Sequence, residues 1–137
     1  MNDQYYNQNY TKEEVDAILN MIQNCIREGN YHIALNENRQ ENINFIENYR
    51  LSPQKRKDIL LQIKTEDFCH SLANTKIGFE HEILYVFCPN VVLYNIKDER
   101  EIVDVYTKFN ILDIDDNKKV VVISLHKRNK PLKYLFR

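Results

Sequence analysis

Val103-Asp104-Val105-Tyr106-Thr107-Lys108-Phe109 and Val120-Val121-Val122-Ile123-Ser124-Leu125-His126 are the two stretches that decide the fold. Both are rich in β-branched and apolar residues, and the first alternates, so they predict two strands, over 101–109 and 119–126. The polar run Asp113-Ile114-Asp115-Asp116-Asn117 between them reads as the turn. Side chains alternate faces along a strand, which places Asp104, Tyr106 and Lys108 on one side of the first strand. His126 ends the second strand and leads into Lys127, Arg128, Lys130, Lys133 and Arg137.

Working back from this pair, Lys97-Asp98-Glu99-Arg100 reads as another hairpin turn. Before it lie the apolar runs Val91–Asn95 and Ile83–Cys88, interrupted by Pro89-Asn90. Working forward, residues 130–136 suit an edge strand, where Pro131 is tolerated. Upstream of Gly78 the period changes. Thr11 and Glu14 form a capping box, and Val15, Ile18, Leu19, Ile22 and Ile26 follow at helical spacing up to a stop at Gly29. Ile43, Ile46 and Tyr49 predict a short second helix. Ser52-Pro53 reads as an N-cap followed by proline at the first helical position, with Ile59, Leu60 and Ile63 on the helix it starts. Thr65-Glu66-Asp67 can cap one more turn or short helix bearing Phe68 and Leu72. Residues 1–10, rich in Asn, Gln and Tyr and without period, are expected to be a flexible lead-in to a single domain over 11–137. Helices first and a run of strands after them predict an α+β fold, with the N-terminal helices packed on one face of an antiparallel β-sheet.

A chain of 137 residues with 43% apolar composition can build a core without disulfides or metals. No apolar run approaches the ~20 residues of a membrane span, and the N-terminal residues lack the basic and apolar regions of a signal peptide. Three cysteines (Cys25, Cys69, Cys88) without metal-ligand spacing agree with a reducing compartment, so the expected location is the cytoplasm and no membrane partner is expected. The net charge of −1 does not by itself announce a nucleic-acid binder. Its distribution is uneven, however. Residues 1–50 hold 4 Lys/Arg against 8 Asp/Glu, whereas residues 101–137 hold 8 against 5, and no acidic residue follows Asp116. A basic end on a weakly acidic body is compatible with a local phosphate site.

A tyrosine, a lysine and a histidine beside that basic end suit phosphate binding and proton transfer. Tyr106 and Lys108 share a strand face, and His126 follows on the next strand. His70 lies after the capped Thr65-Glu66-Asp67 segment, and His81 between Glu80 and Glu82, where carboxylates can hold it as a cation. Lys127, Arg128 and Lys130 are candidate phosphate-binding cations. Cys69 and Cys88 lie in no nucleophile motif, and free cysteines are usually buried small hydrophobes. A zinc site from His70, His81, Cys69 and Cys88 would need the fold to gather residues whose spacing matches no binding pattern. No metal and no cofactor is expected. No helix-turn-helix carries a basic, amide-rich second helix, which argues against a sequence-specific DNA-binding regulator.

The order of these motifs resembles the MqsR family of bacterial toxin–antitoxin ribonucleases, a branch of the RelE-like toxins, from about residue 15 to 136. An amphipathic helix ending at Gly29 comes first. Ile59-Leu60-Leu61-Gln62-Ile63-Lys64-Thr65-Glu66-Asp67-Phe68 is similar to the family's apolar helix, gap and Asp-Phe pair. Val105-Tyr106-Thr107-Lys108-Phe109 resembles its Val-Tyr-x-Lys strand, Val122-Ile123-Ser124-Leu125-His126 its terminal Val-x-Ser-Phe strand, and Pro131-Leu132-Lys133-Tyr134 the ending of Gram-positive members. The resemblance implies a RelE/MqsR-like fold and a metal-independent endoribonuclease. Such an enzyme cleaves mRNA by 2′-hydroxyl attack on the adjacent phosphate and is neutralised by a cognate antitoxin protein; the ribosome is a possible further partner. The family's strand Tyr and Lys fall on Tyr106 and Lys108, and its last-strand basic residue on His126. Its Lys after Asp-Phe falls on His70, a histidine that can titrate where lysine normally does not. Its catalytic Gln has no clear counterpart; His81 or Glu82 is nearest. The alternative is a non-enzymatic phage- or plasmid-type inhibitor that binds another protein through the sheet edge of the same small fold.

Overall fold

The structure, a computed structural model, describes residues 6–137. Residues 1–5 of the expected lead-in lie outside the described residues. Helix α1 (Lys12–Arg27) starts as the sequence predicts. The Thr11 hydroxyl accepts the Glu14 N–H, and the Glu14 carboxylate accepts the Thr11 N–H at 2.8 Å. Gly29, at φ 79°, lets the chain turn out of the helix in a conformation that side chains disfavour. Helix α3 (Pro53–Leu61) is capped by the Ser52 side chain and has proline in its first turn. Its final carbonyls would be orphaned, and the buried Gln23 side chain of α1 donates to the carbonyls of Leu60, Leu61 and Ile63 at 3.0–3.3 Å. Ile63 therefore lies just past the helix, buried in the core.

The sheet has six strands, β1 (Tyr31–Ile33), β2 (Phe68–Ala73), β3 (Ile83–Phe87), β4 (Asn90–Tyr94), β5 (Arg100–Ile114) and β6 (Asn117–Lys127). Their order is β1-β6-β5-β3-β2, with β4 pairing the early part of β5. All pairings are antiparallel except β1 with β6. The β5–β6 turn is as tight as a hairpin allows: Asp115 and Asp116 both take positive φ, as a two-residue turn matched to strand twist requires. The α+β layout holds, with Val15, Leu19, Ile22 and Ile26 of α1, Phe45 of α2 (Gln40–Asn48) and Ile59 and Leu60 of α3 sharing one core with the sheet. Phe68, Phe87 and Phe109, from three neighbouring strands, form a chain of edge-on aromatic contacts at its centre. No helix among the described residues is long and apolar enough to cross a membrane.

Two local expectations are corrected, and two further segments take positions the sequence did not announce. Phe68 and Leu72 lie on β2, not on a helix: the capped segment is a single 3-10 turn, Thr65–Asp67, and the chain is extended from Phe68 onward. The long-range pairing of β2 with β3 overrides the local capping signal. Tyr31–Ile33 is a strand that three residues are too few to announce. Residues 130–136 add no strand: Pro131 has no N–H, and Leu135 makes the segment's one backbone hydrogen bond to the sheet, to Phe68 O at 3.1 Å. Residues 6–10 lie along the outer edge of β2. There Asn7 exchanges two backbone hydrogen bonds with Ser71, and the Tyr10 hydroxyl meets the Ser71 hydroxyl at 2.7 Å.

Two bulges determine which side chains share a face. In β6 the register shifts opposite Lys108/Phe109, leaving Ile123 without a cross-strand partner. Strict alternation from Val120 and Val122 would send Ser124 and His126 into the helix-covered core. The extra residue instead puts Leu125 in the core and turns Ser124 and His126 to the other face, opposite Lys108 and Tyr106. Asn42 of α2, almost fully buried, pins this bulge. Its side-chain oxygen accepts the Leu125 N–H, and its amide donates to the carbonyls of Ile123 and Ala34. In β2 a second bulge at Cys69 brings His70 opposite Val86.

Candidate functional site

On the sheet face turned away from α1 and α3, one cross-strand row reads His70, Val86, Lys108, Ser124, and the neighbouring row holds Tyr106 and His126. Four of the sequence candidates are thus brought together. The Tyr106 and His126 rings are stacked, with centroids 5.2 Å apart. His126 Nδ1 lies 2.9 Å from the Lys127 carbonyl, which can only accept, so Nδ1 is the donor and Nε2 is the nitrogen left to meet a ligand. The Glu41 carboxylate sits 3.7 Å from the same Nδ1 and also accepts from the Asn129 side chain.

Lys108 is half-buried, and no carboxylate pairs with it among the described residues. Burial, with Arg39 and Lys130 adding like charge, holds its ammonium below the usual lysine range. Burial pushes the Tyr106 phenol up to about 12, so it stays protonated as a hydrogen-bond donor. His70 is 5% exposed, and its Nε2 has no hydrogen-bond partner among the described residues. Burial first, then Lys130 and Lys108, lower it to about 4. Burial thus favours the neutral form of His70. Cys69 and Cys88 are buried with Val86 and Tyr106 in an apolar cluster, and burial raises both thiols, so neither is poised as a thiolate.

The remaining candidates separate. His81 is exposed in the turn before β3, five residues along the chain from Val86 and off the row that holds His70 and Lys108. Glu82 beside it is occupied by the side-chain amides of Asn74 and Asn110. Lys127 alternates with His126 onto the opposite face, where it pairs with Glu101 at 3.8 Å. Arg128 pairs with Asp104 at 3.1 Å and donates to the Lys130 carbonyl. Lys130 stays with the site: it acts on both His70 and Lys108. Among the described residues no three His, Cys, Asp or Glu side chains gather as a metal cluster.

Sequence reasoning missed Arg39, Ser124 and, apart from the cations Lys130 and Lys133, the wall beside His70. That wall is a cleft of about 580 Å³ lined by Tyr6, Gln8, His70, Lys130, Pro131, Leu132 and Lys133. Gln8 ties its two sides together, donating to the carbonyls of Cys69 and Lys133. Ser124 was readable as a strand residue, but its face depends on the bulge; nothing local in the sequence marks Arg39 or the N-terminal segment as neighbours of Lys108 and His70. The arrangement offers a protonated phenol, a depressed ammonium and an imidazole on one surface, with further cations near them. The chain matches no family model, no curated protein and no solved structure.

Proposed function

We propose that this chain is a metal-independent endoribonuclease of the MqsR-like toxin kind, acting on mRNA in the cytoplasm and held inactive by a cognate antitoxin, with the ribosome as a possible partner and no role for a membrane. One observation carries the proposal: Lys108, half-buried, without a carboxylate partner among the described residues and depressed by its surroundings, sits one cross-strand row from the stacked Tyr106–His126 pair. A phosphodiester would bring the negative charge that this group of cations lacks.

In this reading His126 Nε2 takes the proton of the ribose 2′-hydroxyl as O2′ attacks the adjacent phosphorus. The O2′–P bond forms as the P–O5′ bond breaks, and the Lys108 ammonium gives its proton to the departing O5′. Its depressed pKa makes that transfer easier than from an ordinary lysine. The products are a 2′,3′-cyclic phosphate and a 5′-hydroxyl. Tyr106 donates to a non-bridging oxygen, Arg39 and Lys130 balance phosphate charge, and His70, neutral, takes no part in proton transfer. Expression of the chain should arrest growth, and Lys108→Ala or His126→Ala should each restore it while leaving the protein folded. Full toxicity in both soluble, folded variants would sink the assignment.

A second reading has its own support. Val92 and Ile102 face each other across β4 and β5 and are 45% and 66% exposed, with Tyr94 beside them at 58%. Such a patch suits a non-enzymatic inhibitor that grips another protein. Growth arrest that survives mutation of Lys108 and His126 but not of Ile102 would favour it.

A further inference from the structure

We propose that the cleft beside His70 is a nucleobase subsite, which holds the base of a nucleotide whose phosphate lies toward Lys108. The inference rests on the ribonuclease reading for the direction of the chain, yet it can be tested without cleavage.

The walls are of the right kind. Tyr6 lies against the His70 ring, tilted by 47° with centroids 4.2 Å apart, and supplies an aromatic ring of the kind bases stack on. Pro131 and Leu132 give the opposite wall an apolar surface. A cleft of about 580 Å³ has room for a planar heterocycle and its sugar. The polar groups are also suitable. His70 Nε2 is buried without a hydrogen-bond partner among the described residues, the kind of group that marks an unfilled contact. Because burial keeps this imidazole neutral, it can offer a base edge a donor or an acceptor according to tautomer, and every base carries both. Charge completes the argument. Lys130 and Lys133 line the cleft, and Lys130 also acts on Lys108, so base and phosphate positions are contiguous. An apolar ligand would leave these cations and the imidazole unused, while a bare phosphate would leave the aromatic walls unused.

The test uses the full chain with Lys108 intact, titrated with nucleoside 3′-monophosphates and with ribose 5-phosphate, neither of which is a phosphodiester that the proposed mechanism cleaves. Binding is followed by NMR shifts of the His70 ring. Nucleoside monophosphates should bind saturably and at least about tenfold more tightly than ribose 5-phosphate, and Tyr6→Ala should weaken them by about tenfold, as loss of one stacking contact does. Lys130→Gln should weaken the nucleotides more than it weakens the parent nucleosides. Equal binding of ribose phosphate, no saturable binding at millimolar concentration, or affinity unchanged by Tyr6→Ala in a protein with unaltered circular dichroism would overturn the subsite. Cleavage of RNA by the wild-type chain without base binding would remove the subsite and leave the ribonuclease reading standing. Base binding without cleavage would do the reverse.

Discussion

The two faces of the β5–β6 ribbon use one backbone in opposite ways. Beneath the helices, Val103, Val105, Phe109, Val120, Val122 and Leu125 are buried against one another and against α1, α2 and α3. On the far face, Tyr106, Lys108, Ser124 and His126 meet across the strands, with His70, whose Nε2 has no partner among the described residues, at the end of the row. The first face is made of groups whose burial is favourable. The second holds a lysine and a histidine whose burial disfavours their charged forms, a cost the fold sustains only because the other face is so well packed. Stability and chemistry are thus separated by the two-residue period of a strand, and the bulge at Ile123 decides on which side His126 falls.

Breaking the buried face should have the largest effect. Phe109→Ala removes a fully buried ring from the aromatic chain and should cost ~3–5 kcal/mol, read as a fall in the urea midpoint. On the other face, His70 should make stability depend on acid. Its folded-state pKa of about 4 lies below the unfolded value of 6.5, so the unfolded chain binds the proton first. The contribution is fully present above pH 6.5 and is lost as pH falls from there toward 4, up to roughly 3 kcal/mol. His70→Leu should flatten that slope in urea titrations run across this range. An unchanged slope would mean that another group carries it.

The bulge links the faces, and its anchor should register on both. Asn42→Ala leaves the Leu125 N–H and two carbonyls unpaired and should cost about 2 kcal/mol. It should also lower RNA cleavage by more than the unfolded fraction explains, because His126 loses its register against Tyr106. Asn42→Asp keeps the acceptor for Leu125 and should recover part of the activity. The smallest expected change in stability is at Lys108. Lys108→Met removes a cation that its surroundings disfavour, so Tm should rise by a few degrees even as activity disappears.

This contrast also explains what was legible in the sequence. Helix starts were readable because caps are local: Thr11 with Glu14, and Ser52 before Pro53, each satisfy backbone groups within one turn. Tyr106 and Lys108 could be placed on one face because the period of β5 is unbroken. Strand β2 was hidden because Phe68, Cys69, His70 and Ser71 are all buried, so no alternation marks them. Lys127 was within reach of the same reasoning, since a strand extended by one residue sends it to the face opposite His126. The cleft beside His70 was not within reach. Its walls come from residues 6–8 and 130–133, brought together by Gln8 across contacts that no local pattern records.

The most direct test of the polar face is to incubate the purified chain with a defined mRNA in excess EDTA and to map the ends of the products, with Lys108→Met alongside. The expected result is discrete cuts bearing 2′,3′-cyclic phosphates and 5′-hydroxyls, lost in the variant. Intact RNA from folded protein, with ribosomes absent and then present, or cutting that Lys108→Met leaves unchanged, would contradict it.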